Sequence, residues 1–465
     1  MALIRVPTRV LAAPALRELP LPIPLRAMIG PSVILTGLSI GSGELLLWPG
    51  LIAKFGFALF WACWLGVTLQ FFLNMEIERW SLATGESAVV GFVRLARGLG
   101  PVFFVCATLP WAWPGWATGA AELGSWLVPV PVLPTAVAGL VLCGLVLSLG
   151  PVVYRTVEAL QLVMVAGIFA GLLALVAAVV RRETWSELAW GAFQFGAIPE
   201  GIEMPVLAGA LAFAGAGGAV NLAQSNYIKD KGYGMGRWIG RITSPFTGRD
   251  EAASEVGAVF EDTPENRARW RVWWRRTNAE HFVSFYLLCL VCMALFCLLG
   301  AQLRADGMPL QEGFGFLQAE AAALEARFGQ TGRLCFLLVS ILVLLSTELA
   351  LIDAVSRVAA DSLHASLGSE RVSLSRLYFG IVWGMVGFGT AVLLAGFVQP
   401  FWLIVISACL NGFVMFLYAG ALLWLNLSAF QGPLRPGPVR VVALVGCVLF
   451  YGYFSLQTLL QQIAD

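Results

Sequence analysis

The segment that decides the fold runs from Gly30 to Pro49 and reads GPSVILTGLSIGSGELLLWP. It has the length, about 20 residues, that crosses the apolar core of a bilayer as a helix. Its middle, residues 41–43, is Gly-Ser-Gly, followed directly by Glu44. Glycine readily leaves helical geometry, and a carboxyl group inside an apolar span is costly enough to be a functional hypothesis. The segment therefore predicts a membrane span that is interrupted at its centre.

A second interrupted span lies five spans further along the chain. Residues 211–221 read LAFAGAGGAVN, with Gly215, Gly217 and Gly218 near the centre. Glycine-interrupted segments at matching positions of two halves indicate a transporter site at the interface of two repeats. The alternative is that the glycines only allow helices to pack closely. The presence of both clusters, one of them followed by Glu44, favours a binding site.

The composition agrees with a membrane protein. Of 465 residues, 59% are hydrophobic and 12% are charged, whereas soluble domains carry about 25% charged residues. We predict eleven helical spans, because long apolar runs satisfy their own backbone groups as helices. The predicted spans are 28–52, 56–78, 100–127, 131–150, 156–180, 204–227, 281–301, 333–356, 375–396, 399–427 and 438–461. The net charge of +1 does not suggest a nucleic-acid partner.

The distribution of positive charge predicts the orientation. With eleven spans, 23 of the 29 Lys and Arg residues fall on the side of the N-terminus. The positive-inside rule then places the N-terminus in the cytoplasm and the C-terminus outside a cell (inner) membrane. The largest connection, 228–280, mixes Trp and Arg over 267–276. That composition predicts a helix at the headgroup layer, with a regulatory role as the alternative.

At several of these residues the chain resembles the Nramp family of divalent-metal transporters. The matching motifs are Gly30-Pro31, Ala53-Lys54-Phe55-Gly56, Thr84-Gly85, Ala117-Thr118 followed by Glu122, and Asn221-Leu222. The resemblance runs through spans 1 to 6 and fades afterwards. It implies an all-α membrane protein with the LeuT-like fold, a single transporter domain over 1–465. The first five-helix repeat would be 28–180, the second 204–427, and an extra span 438–461.

The metal site of that family is altered in this chain. The family motif Asp-Pro-Gly-Asn in span 1 corresponds here to residues 41–44, Gly-Ser-Gly-Glu, so the aspartate ligand is absent. The span-6 motif Met-Pro-His corresponds to 218–220, Gly-Ala-Val, which removes the thioether that favours transition metals. Asn411 stands where the family has a glutamine ligand. The family's proton-route aspartate and histidine correspond to Gly119 and Ser225, and we expect the two histidines, His281 and His364, to face water.

The candidate site residues follow from the two interruptions and from the resemblance. The substrate-binding candidates are Gly41, Ser42, Gly43, Glu44, Gly217, Gly218, Asn221, Gln224 and Asn411, with Glu44 also the candidate metal ligand. Glu122, Ser346 and Thr347 are candidate coupling residues, the last two because LeuT-like carriers often hold sodium between span 8 and span 1. For Glu44 the alternative is a protonated side chain bonded to nearby backbone, and for Glu122 it is structural packing.

The leading interpretation is a secondary transporter of a divalent cation, Mg²⁺-like or Mn²⁺, that works by alternating access. An oxygen-rich set with one carboxylate suits a hydrated Mg²⁺-like ion better than a dehydrated transition metal. Two alternatives stay open: the same fold carrying a small organic solute or another ion, and a membrane protein of this fold that does not transport. We predict no enzyme activity and no cofactor, because the chain shows neither a nucleophile with a histidine and an acid nor a phosphate-binding glycine loop.

Overall fold

The computed structural model describes residues 3–41, 43–244, 256–307, 313–368 and 373–464. Eight helices among these residues are long and apolar enough to cross a membrane. They are Phe57–Thr84, Val132–Leu149, Val153–Val179, Pro264–Ala305, Phe314–Leu367, Leu374–Leu394, Pro400–Ala429 and Pro438–Leu460, which correspond to predicted spans 2, 4, 5, 7, 8, 9, 10 and 11. We call the side of the membrane where span 1 begins the N-terminal face and the other side the opposite face.

The remaining three predicted spans are broken helices. Span 1 consists of Pro31–Ser39 and Gly43–Phe55, which are bent by 40° relative to each other. Span 6 consists of Met204–Ala212 and Ala223–Lys231, joined through the 3₁₀ turn Gly218–Leu222. The predicted interruptions of spans 1 and 6 are therefore both present.

The break in span 3 is a difference from the sequence prediction, which treated 100–127 as one helix. The structure divides it into Leu99–Thr108 and Gly115–Ser125. Pro110 and Pro114 lie in the gap, and proline lacks the N–H that a continuous helix needs and clashes with the preceding turn.

Shorter elements connect the spans. Two of them are helices, Ala88–Leu95 after span 2 and Arg182–Gly191 after span 5. The 3₁₀ turns are Leu25–Ala27, Phe57–Leu59, Gly234–Trp238 and Gly432–Leu434. Strand Ala15–Leu16 pairs in parallel with Ala258–Val259. The helix of span 8 contains a non-helical residue at Gly329, so that Phe314 to Phe328 forms a separate helix on the opposite face.

The Trp- and Arg-rich connection is not a separate surface helix. Its helix Pro264–His281 continues through the π-helical turn Phe282–Leu287 into span 7. Trp270 and Trp273 are buried, and Trp273 Nε1 donates to the carbonyl of Pro20 at 2.8 Å. The indole groups pack inside the protein because the N-terminal segment covers them.

The two broken spans pack directly against each other at the centre of the fold. Trp48 Nε1 in span 1 donates to the carbonyl of Ala210 in span 6 at 2.9 Å. A Cβ atom at Gly43 would lie 2.3 Å from the carbonyl oxygen of Phe213, so only glycine allows this approach. The first repeat (spans 1–5) and the second repeat (spans 6–10) thus meet at their interrupted helices.

This contact predicts that Gly43→Ala destabilises the protein, whereas Gly50→Ala on the same span does not. The Gly43 change forces a backbone shift and should lower the free energy of unfolding by about 1–3 kcal/mol. A Cβ atom at Gly50 meets no atom within 4 Å, so that change should be neutral or slightly stabilising. Thermal unfolding of both purified variants in detergent measures the difference, and equal melting temperatures would contradict the contact.

Candidate transport site

The breaks of spans 1, 3 and 6 surround a small space, which we call the central site. It measures about 10 Å³, the size of a single water position. Its lining comprises Leu38, Ser39, Gly41, Gly43, Trp111, Trp116, Phe213, Gly215, Ala216 and Thr347. The predicted residues Gly41 and Gly43 are therefore brought together with the span-6 break, whereas Ser42 lies outside the described residues.

Glu44 is fully buried in the first turn after the span-1 break. Its Oε2 atom accepts a hydrogen bond from the backbone N–H of Gly41 at 3.2 Å, across the break. Its Oε1 atom has no hydrogen-bond partner among the described residues. Glu44 thus satisfies one backbone group that the broken helix leaves free, and it is not among the residues that line the central site.

The span-6 break is held by Gln70 of span 2, a residue that the sequence analysis missed. Gln70 Nε2 donates to the carbonyls of Ala212 at 3.1 Å and Ala214 at 2.9 Å. Its Oε1 atom accepts from the backbone N–H of Gly217 at 3.0 Å and from Asn221 Nδ2 at 3.3 Å. In the sequence Gln70 stands out only as an amide within a mostly apolar run. That pattern does not show that its side chain binds the backbone of the span-6 break.

The other predicted amides of this region flank the same break. Asn221 Nδ2 also donates to the hydroxyl of Tyr418 at 2.9 Å, and Asn411 Nδ2 donates to the carbonyl of Ser407 at 3.0 Å. A Cβ atom at Gly218 would lie 1.7 Å from Asn411 Oδ1. The Oδ1 atoms of Asn221 and Asn411 have no hydrogen-bond partner among the described residues.

Gln224 is not part of the central site. Its Nε2 atom donates to Glu78 Oε1 at 2.8 Å and to Ser32 Oγ at 3.2 Å, nearer the N-terminal face. The expectation that His281 and His364 face water is wrong, because both side chains are buried. His281 is enclosed because its helix runs on into span 7 instead of ending at the membrane surface.

The two candidate hydroxyls of span 8 have different surroundings. Thr347 Oγ1 lies 3.4 Å from each of the carbonyl oxygens of Gly37 and Ile40 in span 1, next to the break. Ser346 Oγ instead donates to Gln161 Oε1 of span 5 at 2.8 Å. Thr347 alone of the pair therefore reaches the carbonyl groups that would hold a cation between spans 1 and 8.

The span-3 break is completed by Glu348, next to Thr347. Glu348 Oε2 accepts from the backbone N–H of Ala117 at 3.1 Å, in the first turn of the second half of span 3. This contact satisfies one of the amides that a helix start leaves unpaired. Glu122 is half-buried near the end of the same helix and is not among the residues that line the central site.

Three aromatic side chains form one wall of the central site. The rings of Trp111 and Phe213 are stacked with centroids 5.4 Å apart, and Trp116 lies 5.4 Å from Trp111 and 6.1 Å from Phe213. The Nε1 atoms of Trp111 and Trp116 are buried without a hydrogen-bond partner among the described residues. The sequence analysis missed this wall because it did not identify the break that turns Trp111 inward.

The described residues do not form a conventional metal site. They contain no group of three or more His, Cys, Asp or Glu side chains placed to hold a metal ion. A larger cavity of about 280 Å³ lies toward the opposite face. It is lined mainly by apolar groups, including Leu51 of span 1, Val206 of span 6 and Trp402 of span 10, with Lys54 and Glu203 as charged members.

The role of Gln70 predicts that Gln70→Met strongly destabilises the protein. Methionine has a similar length but leaves two carbonyls and one backbone N–H of the span-6 break without partners, and each buried unpaired group costs about 1–3 kcal/mol. Leu69→Met on the same helix removes no hydrogen bond and serves as the matched control. Thermal unfolding should show a large drop for Gln70→Met alone, and similar melting temperatures for both variants would refute the assignment.

Comparison with known proteins agrees with this architecture. No protein-family profile and no curated protein sequence matches the chain. Among solved structures, a mutant of the Eremococcus coleocola manganese transporter has a TM-score of 0.65 at 14% identity, over 96% of this chain and 90% of that chain.

Two further solved structures show the same fold. Mhp1, a nucleobase-cation-symport-1 family transporter, has a TM-score of 0.51 at 12% identity, over 96% of this chain and 94% of that chain. MhsT in complex with L-phenylalanine has a TM-score of 0.50 at 12% identity, over 92% of this chain and 97% of that chain. At these identities the likeness concerns the fold alone. The chain is an all-α membrane protein with the LeuT-like fold, as predicted.

Proposed function

We propose that this protein is a secondary transporter that moves a small organic amine by alternating access around the central site. The observation that carries the proposal is the meeting of the broken spans 1, 3 and 6 around one small space. Exposed peptide groups in a membrane occur where they line a cavity or are buried in protein. Discontinuous helices at the interface of two repeats are typical of transporter binding sites.

The chemistry of the site supports an amine as the substrate. Tryptophan faces attract cations, and the attraction strengthens when water is excluded. Trp111, Trp116 and Phe213 supply such faces. Glu44, whose Oε2 atom accepts from the N–H of the lining residue Gly41, supplies an unpartnered Oε1 atom at the span-1 break. The central site in its present size, about 10 Å³, holds no organic molecule. Substrate entry therefore requires the broken helices to separate, which is the motion that alternating access involves.

A divalent cation, Mg²⁺-like or Mn²⁺, is the second candidate. The supporting observation is that the side-chain oxygens Glu44 Oε1, Asn221 Oδ1 and Asn411 Oδ1 flank the breaks without partners among the described residues. Carboxylate and amide oxygens are the ligands that Mg²⁺ prefers. One carboxylate compensates little of the charge of a divalent ion, so we rank this substrate below an amine.

Ligand-dependent stability separates the two substrates. We expect choline or phenylethylamine to raise the melting temperature of the purified protein, because a ligand at about 100 times its Kd adds about 2.7 kcal/mol of stability. Trp116→Leu should remove the effect of the amine. Stabilisation by Mn²⁺ or Mg²⁺ that Glu44→Gln abolishes, together with no response to amines, would instead establish the cation as substrate.

We further propose that the N-terminal face is cytoplasmic and that the C-terminus lies outside. The support is the excess of Lys and Arg at that face. A C-terminal fusion to alkaline phosphatase should be active in a Gram-negative host, and a C-terminal green fluorescent protein should stay dark. Truncation of the fusion point to residue 435, before span 11, provides the matched control and should reverse both results. The opposite pattern would overturn the orientation.

A further inference from the structure

A buried polar cluster lies between the central site and the N-terminal face. Its members are Ser32, Glu78, Gln224, Glu280 and His281, all of them almost completely buried. They come from span 1, span 2, the second half of span 6 and the start of span 7. We call these five residues the N-terminal cluster, and none of them lines the central site.

One hydroxyl joins the titratable groups of the cluster. Ser32 Oγ donates to Glu280 Oε2 at 2.5 Å and lies 2.8 Å from His281 Nδ1. Because the single hydroxyl proton is used toward Glu280, Nδ1 of His281 carries the proton of the second contact. The same Nδ1 lies 3.1 Å from Glu78 Oε1. The imidazole therefore bridges span 7 to both span 1 and span 2.

Several atoms of the cluster could each bind a further proton. Glu78 Oε2, Glu280 Oε1 and His281 Nε2 are buried without a hydrogen-bond partner among the described residues. Without added protons the cluster carries two negative charges in a low-dielectric interior. Carboxylates that share a buried site cannot both ionise without a large electrostatic cost. Each proton bound by the cluster therefore stabilises the packed arrangement.

Neighbouring charges neutralise the cluster only in part. The groups that face it are Lys231, Glu158, Arg440, Tyr154 and Tyr233. Lys231 pairs with Glu158 at 2.5 Å. Arg440 Nη1 pairs with the carboxylate of Glu76 at 3.2 Å. Lys231 is thus offset by Glu158, whereas Glu76 is shared by Arg440 and Arg79, so one positive charge of this group is left near Glu78. The tyrosines add no positive charge.

The first half of span 1 is the element that this cluster holds in place. The second half of span 6 is tied to span 8 by Arg357 Nη1 to Asp230 Oδ2 at 2.5 Å and by Asn226 Nδ2 to Asp361 Oδ2 at 2.7 Å. The first half of span 1 has no charged side chain between Pro31 and Ser39. Its polar contacts to span 7 are made by Ser32 and by Thr36, whose hydroxyl donates to the carbonyl of Ser284. Loss of the Ser32 contacts therefore frees span 1 more readily than span 6.

We propose that the N-terminal cluster is a proton-binding site whose occupation holds the first half of span 1 closed at the N-terminal face. The ligand is a proton shared by Glu78, Glu280 and His281. Its release leaves Glu78 and Glu280 both charged within one buried cluster and separates span 1 from spans 2 and 7. This inference rests on the proposed transport function, because in a transporter such a site couples opening toward one face to proton release.

Hydrogen–deuterium exchange of the ligand-free protein in lipid nanodiscs tests the site without a substrate. We compare a peptide covering residues 28–40 at about pH 6 and about pH 8, after correction for intrinsic exchange rates. Exchange should rise about tenfold at the higher pH, since one pKa unit of linkage corresponds to a factor of ten. Equal corrected exchange at both pH values would overturn the proposal.

Charge-removing variants separate proton binding from a purely structural role. Glu280→Gln still accepts the Ser32 hydroxyl but carries no charge, so the peptide should stay protected at both pH values. Glu320→Gln changes a buried carboxyl group on the opposite face and should keep the response of the native protein. If Glu280→Gln increases exchange at both pH values, or retains the full pH response, the cluster is not the proton site. The exchange experiment uses no substrate, so its result does not depend on whether amines bind. The amine-binding assay tests the proposed transport function separately.

Discussion

The structure depends on one constraint, which is that backbone N–H and C=O groups inside a membrane must find partners within the protein. Three spans of this chain are broken and so release peptide groups at the level of the bilayer core. Each break receives a polar side chain: Glu44 at span 1, Glu348 at span 3 and Gln70 at span 6. These three contacts allow irregular backbone to surround the central site.

The polar groups are distributed unequally between the two faces. Toward the opposite face, a mostly apolar cavity of about 280 Å³ lies beside the second half of span 1. Toward the N-terminal face, buried ion pairs such as Arg357 with Asp230, between spans 8 and 6, join the spans. Separating a buried ion pair leaves an uncompensated charge, which is strongly unfavourable. These pairs therefore stabilise the packed arrangement of this face.

The sequence predicted part of the site correctly and part of it wrongly. Glycines identified the breaks of spans 1 and 6. In span 6 the positive φ angles of Gly215, Gly217 and Gly218 favour that residue, and in span 1 the approach of Gly43 to the carbonyl of Phe213 leaves no room for a Cβ atom. The break of span 3 was missed, although Pro110 and Pro114 mark it. Gln224 was assigned to the central site because it follows the span-6 break. The turn Gly218–Leu222 rotates the next helix so that this side chain points to Glu78 instead.

The sequence by itself determined the membrane class, the spans and two of the three breaks, because apolar length and glycine placement are local properties of a chain. Only the tertiary structure decided which polar residue serves which break, since Gln70 and Gly217 are far apart in the sequence. It also decided that His281 is enclosed beside Glu78 and not exposed to water. A polar residue within an apolar span looks the same in sequence whether it pairs, lines a cavity or faces another span, and only packing distinguishes these cases.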